Sequence, residues 1–171
     1  MKLKEFIRDV PDYPKLGIVF RDITPLLKDP KAMEYAINKM VDVCKEREPD
    51  VIAGIEARGF IFGSLIASKL KKPFVVIRKK GKLPYRTVEM SYKLEYGTDT
   101  IEIHIDAIEK GQKVVIVDDL LATGGTASGA KKLIEAVGGK PSFCFLIELQ
   151  YLEGRKQLGE CDANSLIVYD K

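Results

Sequence analysis

Two rhythms of apolar and polar positions run along this chain, and their order predicts strands alternating with helices. Val51-Ile52-Ala53-Gly54-Ile55 is a continuous apolar run, the pattern of a strand buried on both faces. Glu56-Ala57-Arg58-Gly59 reads as a turn, and helical spacing follows through Phe60, Ile61, Leu65, Ile66 and Leu70. Lys71-Lys72-Pro73 closes that helix, and Phe74-Val75-Val76-Ile77 is the next apolar run. Strand, helix and strand in this order form a βαβ unit. The expected fold class is therefore α/β, a parallel sheet flanked by helices on both faces. Residues 100–105 alternate as a half-exposed strand, and residues 142–149 and 165–169 supply two more. At the start of the chain, Leu3, Phe6 and Ile7 predict a short amphipathic helix over residues 2–8. Residues 14–25 carry turn residues at both ends and no period. Asp29 and Pro30 cap a helix that runs through Met33, Ala36, Ile37, Met40, Val41 and Cys44. Residues 79–98, with Gly81, Pro84, Gly97 and the basic residues Lys79, Lys80, Lys82 and Arg86, read as a long irregular connection, which is uncommon in a compact domain unless it is a lid or is disordered.

The most informative stretch is Val114-Val115-Ile116-Val117-Asp118-Asp119-Leu120-Leu121-Ala122-Thr123-Gly124-Gly125-Thr126. Four β-branched residues predict a buried strand that ends at two adjacent carboxylates. A small glycine turn follows, and then the spacing of a helix: Ala127, Ala130, Leu133, Ile134, Val137. Free N–H groups and the positive end of a helix dipole make such a turn an anion site suited to phosphate. Thr123 and Thr126 can add hydroxyl donors, and Gly124 and Gly125 let a ligand approach the backbone. Asp118 and Asp119 can accept hydrogen bonds from a sugar diol beside that phosphate, which points to a ribose 5-phosphate site. No Lys follows the glycines as a triphosphate-binding loop requires, and the acids precede the glycines, the reverse of a dinucleotide fingerprint.

Composition narrows the partners. The chain has 171 residues, 46% hydrophobic and 31% charged, enough for one globular domain with a proper core. A net charge of +3 gives no argument for nucleic acid or a membrane surface. No apolar run is long enough to span a bilayer, and the charged N-terminus does not resemble a signal peptide. Cys44, Cys144 and Cys161 have no metal-ligand spacing and read as reduced thiols of a cytoplasmic protein. His104, the only histidine, falls on the polar phase of its strand and lacks partners for a triad or a metal site.

The loop string resembles the phosphoribosyl-pyrophosphate loop of type I phosphoribosyltransferases. Further segments carry the likeness: Val19-Phe20-Arg21-Asp22-Ile23-Thr24-Pro25, Ile55-Glu56-Ala57-Arg58-Gly59-Phe60, Ile77-Arg78-Lys79-Lys80-Gly81-Lys82-Leu83-Pro84 and Leu94-Glu95-Tyr96-Gly97. Together they resemble the adenine branch of that family, in its order and with its intervals. The resemblance implies a single domain over residues 1–171, with a small N-terminal hood over roughly residues 1–30 and a mobile loop over roughly residues 79–98. It implies purine salvage: transfer of phosphoribose from phosphoribosyl pyrophosphate to adenine, giving AMP and pyrophosphate. Mg²⁺ would be bound mainly through the pyrophosphate, with no dedicated protein ligands, and the protein would be a homodimer. Alternatives are transfer to another purine, or a non-catalytic nucleotide sensor on the same fold.

The same resemblance assigns roles. Backbone groups from Ala122 to Thr126 would hold the 5-phosphate, and Asp118 and Asp119 the sugar. Ala57, in a turn with a cis peptide at Ala57–Arg58, would offer its backbone to pyrophosphate, whose charge Arg58, Lys79 and Lys82 would meet. Val19 and Arg21 would pair with the adenine edge through their main chains, with Phe20 close by. Glu95 would handle the purine proton, and Tyr96 would help close the lid. Relatives acting on 6-oxopurines place an Asp just before the loop threonine, and here that residue is Ala122.

Overall fold

The computed structural model describes residues 1–94 and 96–171. The chain divides into two compact units, Met1–Lys39 and Met40–Lys171.

In the first unit, a 3-10 turn Leu3–Phe6 leads into β1 (Arg8–Pro11), which pairs antiparallel with β2 (Val19–Asp22). The sequence predicts a helix over 2–8 and no regular structure over 14–25. Long-range pairing wins instead, because the two strands complement each other in charge: Arg21 meets Asp9 at 2.5 Å and Arg8 meets Asp22 at 3.6 Å. Helix α1 (Thr24–Lys28) follows, and α2 (Pro30–Lys45) begins where predicted, its Ala32 N–H donating to the Asp29 carboxylate at 2.8 Å.

The second unit is built on a seven-stranded sheet. Its strands are β3 (Val51–Ile55), β4 (Phe74–Lys79), β5 (Thr87–Lys93), β6 (Thr98–His104), β7 (Lys113–Leu121), β8 (Lys140–Leu149) and β9 (Ala163–Tyr169), in the spatial order β5-β6-β4-β3-β7-β8-β9. Pairs from β4 through β9 are parallel, while β6 joins β4, and β5 joins β6, antiparallel. Alternate residues of the central strands feed two layers. Ala53, Ile55, Val114, Ile116, Phe143 and Phe145 pack with Ala127, Ala130, Leu133 and Ile134 of α4 (Gly125–Ala136). The opposite face of β3 meets α3 (Arg58–Leu70), where Gly54 and Gly63 both face the ring of Phe74.

Two strand expectations need correction. Residues 79–98 are not one irregular connection, since β5 pairs along its whole length with β6. Val88, Met90 and Tyr92 point to the core at alternate positions, a two-residue period overlooked beside Gly81, Pro84 and the basic residues. Strand β6 is also more buried than its alternation suggests. Glu102, 3% exposed, turns inward and accepts the N–H groups of Lys82 (3.1 Å) and Leu83 (2.8 Å).

Candidate active site

The sheet order reverses between β3 and β7: the chain leaves β3 towards β4 on one side and leaves β7 towards β8 on the other. In open α/β sheets, ligands bind in the crevice at the carboxyl ends of such strands. Pairing of β3 with β7 ends at Gly54 and Val117, whereas β7 pairs with β8 as far as Leu121. Asp118 and Asp119 therefore lie within β7, beyond the reach of β3, rather than after the strand as the sequence predicts. The edge thus freed opens a cavity of about 340 Å³, lined by Ala57, Arg58, Lys79, Asp118, Asp119 and residues 120–127, among others.

Three backbone features shape this cavity. Chain direction changes after β3 through a cis peptide, located at Glu56–Ala57, one bond earlier than the resemblance implies. Helix α3 then starts hard against β7, since a Cβ on Gly59 would lie 2.7 Å from the Val117 carbonyl oxygen. That approach carries Arg58 across to Asp119, where its Nε donates to the carboxylate at 2.5 Å. Gly124 caps α4 with φ +86°, a left-handed conformation favouring glycine, and no side chain caps that helix. The first intrahelical bond of α4 runs from Ser128 N–H to Gly124 O (2.8 Å), so the amides of Gly125, Thr126 and Ala127 precede it.

Electrostatics distinguish the two acids. Burial pushes the Asp118 carboxyl well above the usual range, and the neighbouring charge of Asp119 pushes the same way. Asp119 is 6% exposed, and one oxygen of its carboxylate is bound to Arg58. Burial works to lower the Arg58 pKa, but Asp119 outweighs it and the guanidinium stays firmly charged.

Around the rim, the lysines assigned to pyrophosphate are held by carboxylates. Lys79 binds Asp99 at 2.5 Å, a hydrogen bond that raises the Lys79 pKa and lowers that of Asp99. Lys82 binds Glu56 at 2.5 Å and does not line the cavity. Glu56 also accepts the Lys79 N–H (2.8 Å). Burial works to raise its pKa, and these bonds outweigh it and lower the value. Tyr92 lines the cavity as well, its hydroxyl donating to Asp99 Oδ2 at 3.3 Å. The cavity thus brings together Ala57, Arg58, Lys79, Asp118, Asp119, Ala122, Thr123, Gly124, Gly125 and Thr126.

Val19, Phe20 and Arg21 lie on β2 in the first unit, where the Tyr13 ring stands edge-on to Phe20 at 5.3 Å. Tyr96 is 75% exposed, and Glu95 lies outside the described residues. Sequence reasoning gave no site role to Glu56 or Asp99. They lie 26 and 20 residues from the lysines they bind, so no local pattern in the sequence marks them. Tyr92 also went without a role, and the alternation of β5 would have turned it inward.

A glycine turn with helix-start amides ahead of the first intrahelical bond and an acid pair lie at the switch point of a mainly parallel sheet, and the model for the phosphoribosyl transferase domain matches residues 24–154. Among curated proteins, the adenine phosphoribosyltransferase of Thermotoga neapolitana is 57% identical over 170 residues, 99% of this chain and 100% of that protein. That of Thermotoga maritima is 56% identical, covering 99% and 98%. The crystal structure of adenine phosphoribosyltransferase from Thermoanaerobacter pseudethanolicus superposes with a TM-score of 0.95 at 53% identity, covering 98% of each chain. That of the Saccharomyces cerevisiae enzyme, complexed with an imino-altritol bisphosphate and adenine, gives 0.90 at 36% identity, covering 96% of each chain. The chain belongs to the adenine phosphoribosyltransferase family.

Proposed function

We propose that the protein transfers the 5-phosphoribosyl group of phosphoribosyl pyrophosphate to adenine, releasing AMP and pyrophosphate. One observation carries the reading: the acid pair and residues 122–126 line one cavity at the switch point, the acids suited to a sugar diol and the turn to its 5-phosphate. Loss of pyrophosphate leaves an oxocarbenium-like sugar, which needs its charge stabilised and water kept away. Asp118 and Asp119 hold the sugar hydroxyls, with Arg58 keeping Asp119 in place and facing the departing pyrophosphate together with the Ala57 backbone. Lys79 and Lys82 reach pyrophosphate by exchanging Asp99 and Glu56 for it.

Val19 and Arg21 read adenine with their main-chain groups, and Phe20 lies against the ring. A peptide C=O and N–H match the amino donor and ring-nitrogen acceptor of adenine without an ionisable side chain. Ala122 offers the base no carboxylate, so Glu95 manages the purine proton, with Tyr96 beside it as the loop closes.

Mg²⁺ would be carried by the substrate, because pyrophosphate oxygens are the hard ligands that this ion takes and it usually binds through substrate phosphates rather than an all-protein cage. Bound to pyrophosphate, Mg²⁺ supplies charge neutralisation of the leaving group. The free thiols support a cytoplasmic setting for purine salvage, and the exposed Ile61 and Leu65 on one face of α3 support a homodimer. The test is to incubate protein, Mg²⁺ and phosphoribosyl pyrophosphate with adenine, hypoxanthine, guanine and orotate in parallel. AMP from adenine alone is expected; a preference for another base overturns the reading.

A further inference from the structure

The turn that carries Gly124 is braced from behind by Gly154, and we propose that Arg155 and Glu148 are positioning residues for that turn, setting how tightly the protein holds the 5-phosphate of phosphoribosyl pyrophosphate. This rests on the reading of residues 122–126 as the phosphate site.

The brace is backbone against backbone. A Cβ on Gly154 would lie 2.3 Å from the Ala122 carbonyl oxygen and 3.0 Å from the Gly124 nitrogen. Conversely, a Cβ on Gly124 would lie 2.3 Å from the Gly154 carbonyl oxygen and 2.9 Å from Gln157 Cβ. No side chain stands between the two segments to absorb a shift, so displacement of Gly154 moves the Ala122 carbonyl and the Gly124 amide directly.

Arg155, the next residue, fixes where Gly154 sits. Its Nε and Nη2 donate to Glu148 Oε1 and Oε2 at 2.7 and 2.6 Å, a bidentate pair, and its Nη1 donates to the Ala163 carbonyl at 2.5 Å. Glu148, 4% exposed, lies in register with Leu121, the last residue of β7 before the turn. Arg155 therefore ties its own backbone to β8 and β9 beside the point where the turn departs. Leu158, 2% exposed, anchors the other end of the 3-10 segment Gly154–Leu158 in the core with Ala127 and Ala130. Neither Glu148 nor Arg155 lines the cavity, so both act through the turn.

The test compares wild type with Arg155→Ala, Arg155→Lys and Gly154→Ala. Arg47→Ala serves as a control, because Arg47 also binds near β9, to Asp162 (2.8 Å) and Asn164, on residues that do not touch the turn. Readouts are KM for each substrate, kcat, Tm, and the calorimetric Kd for ribose 5-phosphate. Gly154 is not at positive φ, so Gly154→Ala reads the steric contact alone. Arg155→Ala and Gly154→Ala are expected to raise KM for phosphoribosyl pyrophosphate and Kd for ribose 5-phosphate by about tenfold or more, since misplacement near 1 Å has effects of that order. KM for adenine stays unchanged, and Arg155→Lys falls between. Arg47→Ala lowers Tm and leaves every KM alone. If the Arg155 and Gly154 variants behave like Arg47→Ala, with Tm lowered and phosphate affinity intact, the proposal is overturned. Should Arg155→Ala not fold, Arg155→Lys decides, since it keeps the charge and loses the bidentate fork, and an unchanged KM for phosphoribosyl pyrophosphate then overturns the proposal. Failure of the wild type itself to bind ribose 5-phosphate overturns the phosphate reading instead.

Discussion

Replacing Gly124 with Ala separates two physical demands on the turn proposed to hold phosphate. The backbone there sits at φ +86°, a left-handed conformation that costs a residue bearing a Cβ about 1–2 kcal/mol. The new methyl group would also lie 2.3 Å from the Gly154 carbonyl oxygen, a backbone atom that cannot swing aside. Forced overpacking of this kind costs about 1–3 kcal/mol. The sum is about 2–5 kcal/mol, a large share of the roughly 5–15 kcal/mol that holds a domain together. At about 2–4 °C per kcal/mol for a chain of this size, Tm should fall by about 4–20 °C.

Gly111 supplies the control, with φ +89° but nothing within 4 Å of an added Cβ. Gly111→Ala should therefore show the backbone part alone, a fall of about 2–8 °C. Thermal unfolding followed by circular dichroism, checked by urea titration, measures both. Gly124→Ala should also raise KM for phosphoribosyl pyrophosphate, and Gly111→Ala should not. Equal loss of stability in the two variants would refute the packing of the turn against Gly154.

Three further outcomes follow from the site. Asp118 has a raised pKa when folded, so the native state keeps a proton that the unfolded chain gives up above about pH 4, and stability declines as pH rises from that value. Asp118→Asn removes this slope, gaining on wild type as pH rises from about 4 towards neutrality; parallel stability–pH curves would contradict the buried-carboxyl assignment. Glu95→Gln should lower kcat more than it raises KM in steady-state kinetics, and the reverse split would make Glu95 a binding residue. Ala122→Asp should not improve adenine turnover, and an improvement would mean the base pocket is misread.

Much of the second unit was legible in the sequence because its strands are continuous apolar runs, which parallel sheets buried on both faces require. The turn from Ala122 to Thr126 was legible for a related reason, since an anion site of backbone amides needs small residues between a strand and a helix. Pairing across distance was less visible. The helix expected over residues 2–8 survives only as the 3-10 turn Leu3–Phe6, strand β1 gave no pattern of its own over four residues, and its partner β2 sits behind a turn closed by Asp12, which accepts the Gly17 N–H at 2.7 Å. The partners of Lys79 and Lys82 were hidden for the same reason: Asp99 and Glu56 lie 20 and 26 residues away in the chain, and only the fold brings them together. Gly154 gave no local signal at all, because its role is set by the backbone that lies against it.

The most direct measurement is a calorimetric titration of phosphoribosyl pyrophosphate into wild type and the Asp118→Asn/Asp119→Asn double variant, with circular dichroism to establish that both are folded. Removing carboxylate charge from beside an anionic ligand should tighten binding if the acids act only through their field. If they hold the ribose hydroxyls, the lost acceptors outweigh that gain, and affinity in the double variant should fall by about tenfold or more. Affinity equal to or above that of wild type would contradict the account.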